Sequence, residues 1–206
     1  MTQSIKGVLY DLDGVLVDSY SAWFHLLNAA ARKYGYPDID KDKYDLLFGQ
    51  SVEADVEILF RGMEPKNLAE FFENHFFDYI HHFEKIDGAI HCLQNVAKMD
   101  LLSCVVTNTT TPLAREILDH IGAEPDYLVG SGDVARDKPA PDMVLKACEL
   151  MKLTVDEVVM VGDSDFDARA AGAAGVVFVG FRRSGDFSVD SHSEFLELLK
   201  TKFLPE

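Results

Sequence analysis

Basic residues are scarce in this chain, because only 19 Lys and Arg stand against 35 Asp and Glu, which gives a formal net charge of −16. Nucleic acids and anionic membranes bind basic surfaces, so this balance argues against both as partners. The chain also lacks an apolar run near the roughly 18–20 residues of a membrane span. Its first residues lack the basic start and apolar stretch of a signal peptide. We therefore expect a cytoplasmic protein that binds neither nucleic acid nor membrane.

Cysteine is scarce as well, and Cys92, Cys104 and Cys148 lie isolated among apolar residues. An odd count without CxxC spacing argues against a disulfide framework and against a zinc site. We expect all three cysteines to be reduced residues of the apolar core. The adjacent His81 and His82 should project from different faces of a predicted helix, so we expect no metal site there.

The order of the predicted elements favours an α/β fold. The chain has 206 residues, of which 48% are hydrophobic, enough for a sizeable core. Short apolar strands alternate with helical patterns, which predicts a Rossmann-like parallel sheet covered by helices on both faces. A ligand site then belongs at the carboxyl ends of the strands. The predicted strands are 5–10, 102–107, 127–129, 158–161 and 176–179, and the helices between and after them are 89–99, 112–121, 141–152, 165–174 and 192–203.

The segment 16–87 does not follow this alternation and is predicted to be mostly helical. We interpret it as a helical cap domain inserted after the first strand of a core formed by 1–15 and 88–206. Its aromatic run at 71–83 is typical of helix packing. The predicted helices of the insertion are 20–34, 51–61 and 66–83.

Two carboxylates, Asp11 and Asp13, stand where the first predicted strand gives way to a turn containing Gly14. Side chains at i and i+2 of an extended segment point the same way, so both can reach one pocket. The pair suits a carboxylate nucleophile with a neighbouring acid/base. The alternative is a strand followed by a polar turn, since Asp and Gly are common turn formers.

Polar groups also follow two later strands. The hydroxyl of Thr107 and the amide of Asn108 could donate hydrogen bonds to a phosphate oxygen, although a helix cap in a Thr-rich turn is the alternative. Lys138 precedes Pro139, which favours an extended backbone there. Lys138 could neutralise a carboxylate cluster and an incoming phosphate, or it could be an ordinary exposed lysine. Arg136 is a weaker candidate for the same task.

The fourth polar segment is Gly162-Asp163-Ser164-Asp165-Phe166-Asp167, directly after a predicted strand. Three carboxylates at one strand-to-helix turn repel one another unless a cation neutralises them. Mg2+ prefers such hard oxygen ligands. The spacing is not that of an EF-hand loop. A helix-capping role is the alternative for Asp165.

Together the four segments resemble the haloacid dehalogenase superfamily in its phosphatase form, close to phosphoglycolate phosphatase-like and β-phosphoglucomutase-like members. The stretch 11–19, DLDGVLVDS, is similar to the first motif of that family. Thr107-Asn108, Lys138 and the GDSDFD stretch at 162–167 are similar to the second, third and fourth motifs, in the family's order. The predicted helical insertion occupies the position of the family's cap.

The resemblance implies that Asp11 is the nucleophile that forms an aspartyl-phosphate, and that Asp13 protonates the leaving oxygen and then activates water. It also implies that Thr107, Asn108 and Lys138 bind the phosphoryl oxygens, where positioning and charge stabilisation supply most of the catalysis. Dehalogenases of similar fold lack the second Asp, so Asp13 favours phosphate-ester chemistry.

The same resemblance implies a Mg2+ cofactor held by the Asp11 carboxylate, the Asp13 backbone carbonyl and Asp163. Asp167 would support this site indirectly, through a metal-bound water or through Lys138. The expected partner is a small phosphorylated metabolite, with phosphoglycolate as the first choice and sugar phosphates and nucleotides as alternatives. Both a monomer and a homodimer are compatible with the sequence.

A sugar phosphomutase is the main alternative reaction. Caps of the β-phosphoglucomutase type carry a pattern similar to Lys-Gly-x-Ser-Arg, whereas 48–52 reads Phe-Gly-Gln-Ser-Val without either basic residue. A shifted alignment would bring in Arg61. Gly49, Gln50 and Ser51 are candidate substrate contacts in the cap, or else a plain helix N-terminus. A noncatalytic binding module with the same fold is the third alternative.

Overall fold

The structure, a computed structural model, describes residues 4–204. Its main sheet has six strands in the order β5-β4-β1-β6-β7-β8, and every neighbouring pair is parallel. The predicted Rossmann-like α/β fold is therefore confirmed. The strands of this sheet are β1 (Gly7–Tyr10), β4 (Leu102–Thr110), β5 (Tyr127–Ser131), β6 (Val158–Gly162), β7 (Val177–Phe181) and β8 (Phe187–Val189).

Neighbouring residues along each strand point to opposite faces of the sheet. Both faces are buried, because helices pack on each of them. Val8 and Tyr10 pack into one apolar cluster, and Leu9 packs into the other. The first cluster also contains apolar side chains of α5 (Ala89–Lys98), α6 (Thr111–Ile121) and α9 (His192–Leu198), and the second contains those of α7 (Asp142–Met151) and α8 (Asp165–Ala174). These helices cover the two faces of the sheet, so the carboxyl ends of its strands remain open to form a site.

The insertion between β1 and α5 is mostly helical, as predicted. The predicted helix 66–83 is wrong in its second half, because α4 ends at His75 and a 3-10 helix follows with a non-helical backbone at Tyr79. The elements are β2 (Val17–Asp18), α1 (Tyr20–Tyr34), α2 (Lys41–Asp45), α3 (Val52–Ile58), α4 (Pro65–His75), the 3-10 helix Phe76–His82 and β3 (Glu84–Lys85).

The short antiparallel ribbon of β2 and β3 marks both ends of this insertion. It places residue 17 beside residue 85, close to the expected boundaries at 16 and 87. We keep the division into a core of 1–15 and 88–206 and a cap of 16–87 as a proposal; residues 1–3, 205 and 206 lie outside the described residues.

The three cysteines are buried and unpaired, as expected. Burial raises the pKa of the Cys92 thiol to about 11, so this thiol stays protonated and unreactive at neutral pH. The expectation that His81 and His82 project from different helix faces is wrong. Both lie in the 3-10 helix rather than an α-helix, their ring centroids are 4.1 Å apart, and His82 also stacks on His25. Within residues 4–204, no helix is long and apolar enough to cross a membrane.

Candidate active site

The four polar segments meet at one edge of the sheet. Because β1 lies between β4 and β6, the residues that follow these three strands are neighbours in space. Asp11 follows β1, Thr107 lies near the end of β4, and Asp163 follows β6. Lys138 reaches the same point from the segment after β5.

Lys138 is buried, with only 3% of its surface exposed, so it is not an ordinary surface lysine. Its Nζ donates to Asp11 Oδ1 at 2.8 Å, to Asp167 Oδ1 at 2.7 Å and to the Val106 carbonyl at 2.9 Å. Burial lowers the pKa of Lys138, but the charges of Asp11 and Asp167 outweigh it and hold the pKa above its usual value. The ammonium therefore ties the first and fourth motifs together in a charged state.

Asp11 is held in one orientation. Its Oδ1 accepts the backbone N–H of Leu12 at 2.7 Å as well as the Lys138 ammonium, while Oδ2 accepts no hydrogen bond within residues 4–204. Burial and the nearby Asp167 raise the pKa of Asp11, and Lys138 opposes them. One carboxylate oxygen is thus anchored and the other is free to react.

Asp13 accepts hydrogen bonds from three side chains, none of which was among the predicted site residues. Trp23 Nε1 donates to Asp13 Oδ1 at 2.9 Å, the Ser19 hydroxyl donates to the same oxygen, and Thr109 Oγ1 donates to Oδ2 at 2.9 Å. Ser19 stands in the first motif and Thr109 lies two residues after Thr107, so both had a signal in the sequence. Trp23 had none, since only the packing of α1 brings it to the site.

Asp11, Asp163 and Asp167 form a carboxylate cluster in which one oxygen of each lies within 4.8 Å of the others. The close approach of the first motif to Asp163 depends on Gly14. Its φ is +80°, and a Cβ there would lie 1.9 Å from Asp163 Oδ2. Only glycine fits this position.

The cluster carries more negative charge than Lys138 neutralises. Burial raises the pKa of Asp163 to about 7, and the charge of Asp167 contributes to the rise. Three crowded carboxylates facing one ammonium leave a site for a divalent cation, and hard oxygen donors suit Mg2+. The residues present therefore fit the cofactor that the sequence implied.

Asp167 uses both oxygens within the protein. Its Oδ1 accepts from Lys138, and its Oδ2 accepts the Ser164 backbone N–H at 3.0 Å and the Ser164 hydroxyl at 2.5 Å, which closes a capping box on α8. It is fully buried. Asp165 points outward and pairs with Arg183 at 2.5 Å. Arg136 pairs with Asp142, also away from the cluster.

Thr107 and Asn108 have different surroundings. Thr107 Oγ1 accepts the Thr109 backbone N–H at 3.1 Å, which leaves its hydroxyl proton for another acceptor. The Asn108 side-chain amide donates to the carbonyls of Gly49 and Lys138, each at 3.0 Å, and Asn108 Oδ1 accepts the Lys138 N–H at 2.9 Å. Its amide hydrogens are thus used to join the insertion to the core, and phosphate binding by Asn108 stays a prediction.

A cavity lies between the core motifs and the insertion, and Gly49 and Gln50 line it, while their contact with substrate stays a prediction. Ser51 is the N-cap of α3, where its hydroxyl accepts the Ala54 N–H at 3.4 Å; it does not line the cavity within the described part of the chain. The structure thus gives Ser51 the helix-capping role. Arg61 is exposed and outside the lining. The cavity does contain an unpredicted carboxylate, Asp55.

A family model described as haloacid dehalogenase-like hydrolase matches residues 8–181. The chain belongs to the haloacid dehalogenase-like hydrolase family. The resemblance in the four motifs is confirmed, and so is the predicted class of enzyme, a hydrolase of this family.

Relatives of known name agree with phosphate-ester chemistry in this branch of the family. A phosphoglycolate phosphatase from Chromobacterium violaceum is 26% identical over 95% of this chain and 97% of its own. An N-acetylmuramic acid 6-phosphate phosphatase from Pseudomonas putida is 29% identical over 83% and 82%. A solved structure of a hydrolase from Pseudomonas syringae covers 95% of this chain and 98% of its own with a TM-score of 0.83 at 21% identity, which shows a shared fold.

Proposed function

We propose that this hydrolase is a Mg2+-dependent phosphatase that cleaves a small phosphate monoester through an aspartyl-phosphate on Asp11. The observation that carries the proposal is the state of Asp11: one oxygen is fixed by Lys138 and the Leu12 N–H, and the other is unengaged. A buried carboxylate that served only structure would have both oxygens satisfied.

In the first half-reaction, Asp11 Oδ2 attacks phosphorus, and a new phosphorus–oxygen bond forms as the bond to the leaving alcohol breaks. Protonated Asp13 gives its proton to the leaving oxygen. Trp23, Ser19 and Thr109 keep the Asp13 carboxyl in place while it loses that proton.

In the second half-reaction, Asp13 takes a proton from water, and the resulting hydroxide displaces Asp11 from phosphorus. Inorganic phosphate leaves, and Asp13 is protonated again for the next cycle. The free hydroxyl proton of Thr107 binds a transferring oxygen. Lys138 contributes its positive charge from behind Asp11, because Asp11, Asp167 and the Val106 carbonyl accept its three ammonium hydrogens.

Bound Mg2+ supplies charge neutralisation between the anionic nucleophile and the phosphate. Asp11, Asp163 and the Asp13 backbone carbonyl would hold it. Asp167 would act on this site indirectly, because Lys138 and Ser164 engage both of its oxygens.

The proposed partner is a small phosphorylated metabolite, and phosphoglycolate is the first compound to test because a relative carries that name. The cavity supports a small substrate, because its volume is about 50 Å³ on a scale where one water needs roughly 10–15 Å³. No Lys or Arg lines this cavity within residues 4–204, which favours hydrolysis over a mutase with a basic cap.

The test is phosphate release from a panel of small phosphate esters, with Mg2+ and with EDTA. We expect metal-dependent release, and we expect Asp11→Asn to abolish it because an amide is a poor nucleophile. Asp165→Asn is the matched control, since it makes the same change at an exposed residue within the fourth motif whose side chain points away from the carboxylate cluster and pairs with Arg183.

Activity of Asp11→Asn equal to that of the parent would contradict the nucleophile assignment. A requirement for a bisphosphate activator, with an isomerised sugar phosphate as product, would instead identify a mutase. No turnover on any ester would favour a noncatalytic module.

A further inference from the structure

We infer that Gln50 and Asp55 form a subsite for the leaving group that selects a hydrogen-bond donor, a hydroxyl or an ammonium, and rejects a carboxylate. This inference rests on the proposed phosphatase function and names the substrate class within it. Both residues line the cavity that Asp11 and Asp13 also line. They thus face the space that the alcohol part of the substrate occupies.

The position of Asp55 in α3 is unusual for a charged residue. It lies on the buried face with Val52, Val56 and Leu59, at the i, i+3, i+4 and i+7 spacing of an apolar stripe. Ser51 already caps this helix through its own side chain. Asp55 lies in the first turn of α3, where a negative charge interacts favourably with the helix dipole. Exposed Glu53 in the same turn supplies such a charge without the cost of burial, so the helix dipole does not explain why Asp55 is buried.

The hydrogen bonds of Asp55 are incomplete. Its Oδ1 accepts Gln50 Nε2 at 2.6 Å, whereas Oδ2 receives no hydrogen bond within residues 4–204. The Asp55 residue is only 7% exposed. Gln50 therefore fixes the carboxyl, and the second oxygen is left to accept a donor from the cavity.

The charges of the cavity decide which donor fits. Its titratable lining is acidic (Asp11, Asp13 and Asp55), apart from Tyr44, and the described lining contains no Lys, Arg or His. The Lys138 ammonium is already held by two carboxylates and a carbonyl. Above the Asp55 pKa of about 7, a substrate carboxylate would meet a negatively charged Asp55 with no cation to pair with, and the two like charges would repel.

Aromatic rings complete the cavity. Trp23, Tyr44, Phe48 and Phe72 line it, and the Tyr44 hydroxyl is used by the Tyr20 carbonyl at 2.8 Å. These rings offer apolar contact to the carbon atoms of a leaving group. The subsite is thus suited to a short alcohol with an apolar middle and a donor at its far end.

The experiment uses three esters of one size: 2-hydroxyethyl phosphate, phosphoethanolamine and phosphoglycolate, which end in a hydroxyl, an ammonium and a carboxylate. We expect kcat/KM for each of the first two to exceed that for phosphoglycolate by at least tenfold. Ratios are taken at pH 8, where Asp55 is ionised, and at one Mg2+ concentration, so the shared phosphate chemistry cancels.

Asp55→Asn keeps the shape of the side chain and removes its charge. We expect the ratio of 2-hydroxyethyl phosphate to phosphoglycolate to fall at least fivefold, through a gain for phosphoglycolate. Glu57→Gln is the control: it removes the same charge from an exposed position on α3 outside the described lining, and should leave the ratio unchanged.

The wild-type ratio tests the inference without any variant. Phosphoglycolate turned over as fast as, or faster than, its two analogues would overturn the subsite while leaving the phosphatase proposal intact. An unchanged ratio in Asp55→Asn would also overturn it. Absence of Mg2+-dependent phosphate release from every ester would instead refute the proposed function itself.

Discussion

Asp55, which we propose to be part of the leaving-group subsite, lowers the stability of the folded state when its carboxyl is ionised. Burial raises its pKa to about 7, despite the hydrogen bond from Gln50, whereas an unfolded chain titrates Asp near 3.9. Between these two pH values the unfolded chain has lost a proton that the folded chain keeps. Stability of the folded state therefore falls as pH rises from about 4 to 7, and the loss is complete above pH 7.

We expect Asp55→Asn to remove this loss. The variant should differ little from the parent near pH 4.5 and should be more stable by roughly 2–4 kcal/mol at pH 8. Urea unfolding in EDTA at pH 4.5, 6 and 8 measures the difference. Other acids with a raised pKa, such as Asp163 and Asp137, titrate in both proteins and cancel. A difference that does not change with pH would contradict the assignment of the charge cost to Asp55.

At the residue scale, the sequence predicted the side chains that stand in motifs and missed those that tertiary packing brings in. Asp11 and Asp163 directly follow the neighbouring strands β1 and β6, so their meeting follows from sheet topology. Lys138 lies in the segment after β5 and was predicted from its motif. Trp23 and Asp55 reach the same cavity from α1 and α3, whose placement on the core no local pattern specifies. The one available signal for Asp55 was a carboxylate on an apolar helix face.

At the scale of elements, the turn after β1 depends on one glycine. Gly14 has a φ of +80°, and any Cβ there overlaps the Asp163 carboxylate. Gly35 has the same φ at the end of α1, with nothing within 4 Å of a Cβ. The two glycines therefore share a backbone cost and differ only in the clash.

We expect Gly14→Ala and Gly35→Ala each to lose about 1 kcal/mol of stability from the left-handed backbone. Only Gly14→Ala should also reduce kcat/KM, by at least ~10²-fold, because Asp163 must move and the catalytic geometry is lost. Unfolding curves and phosphate release measure the two effects separately. Full activity in Gly14→Ala would show that the contact with Asp163 is dispensable.

Strands and long helices of the core were predictable because their patterns are strong, and α8 was predicted with the bounds that the structure has. The elements missed were short: α2, the β2–β3 ribbon and β8. Two or three residues of strand carry too little pattern to be recognised, since pairing with a distant partner forms them. The 3-10 helix at Phe76–His82 was missed because its aromatic residues fit an α-helical period equally well.

At the scale of the whole molecule, hydrogen bonds connect the insertion to the proposed reaction centre, among them one from Ser19 to Asp13. Asn108 donates to the Gly49 carbonyl from the core side, and Trp23 donates to Asp13 from the insertion side. The Trp23 ring also packs against Phe72 and Phe76, with ring centroids 5.3 and 5.0 Å away. The insertion thereby holds the proposed acid/base Asp13 as well as lining the cavity.

Trp23→Phe separates these two roles, because phenylalanine retains the aromatic packing and lacks the Nε1 donor. A hydrogen bond to a charged group contributes about 1.5–3 kcal/mol, so we expect kcat to fall at least ~10-fold with little change in KM. Tyr36→Phe is the matched control: it deletes a ring donor of the same insertion, which binds the Arg61 carbonyl at 3.2 Å away from the site. Steady-state kinetics and thermal unfolding distinguish the outcomes. An equal loss of kcat in both variants would assign the effect to a general loss of order in the insertion. An unchanged kcat in Trp23→Phe would mean that Ser19 and Thr109 hold Asp13 without the Trp23 hydrogen bond.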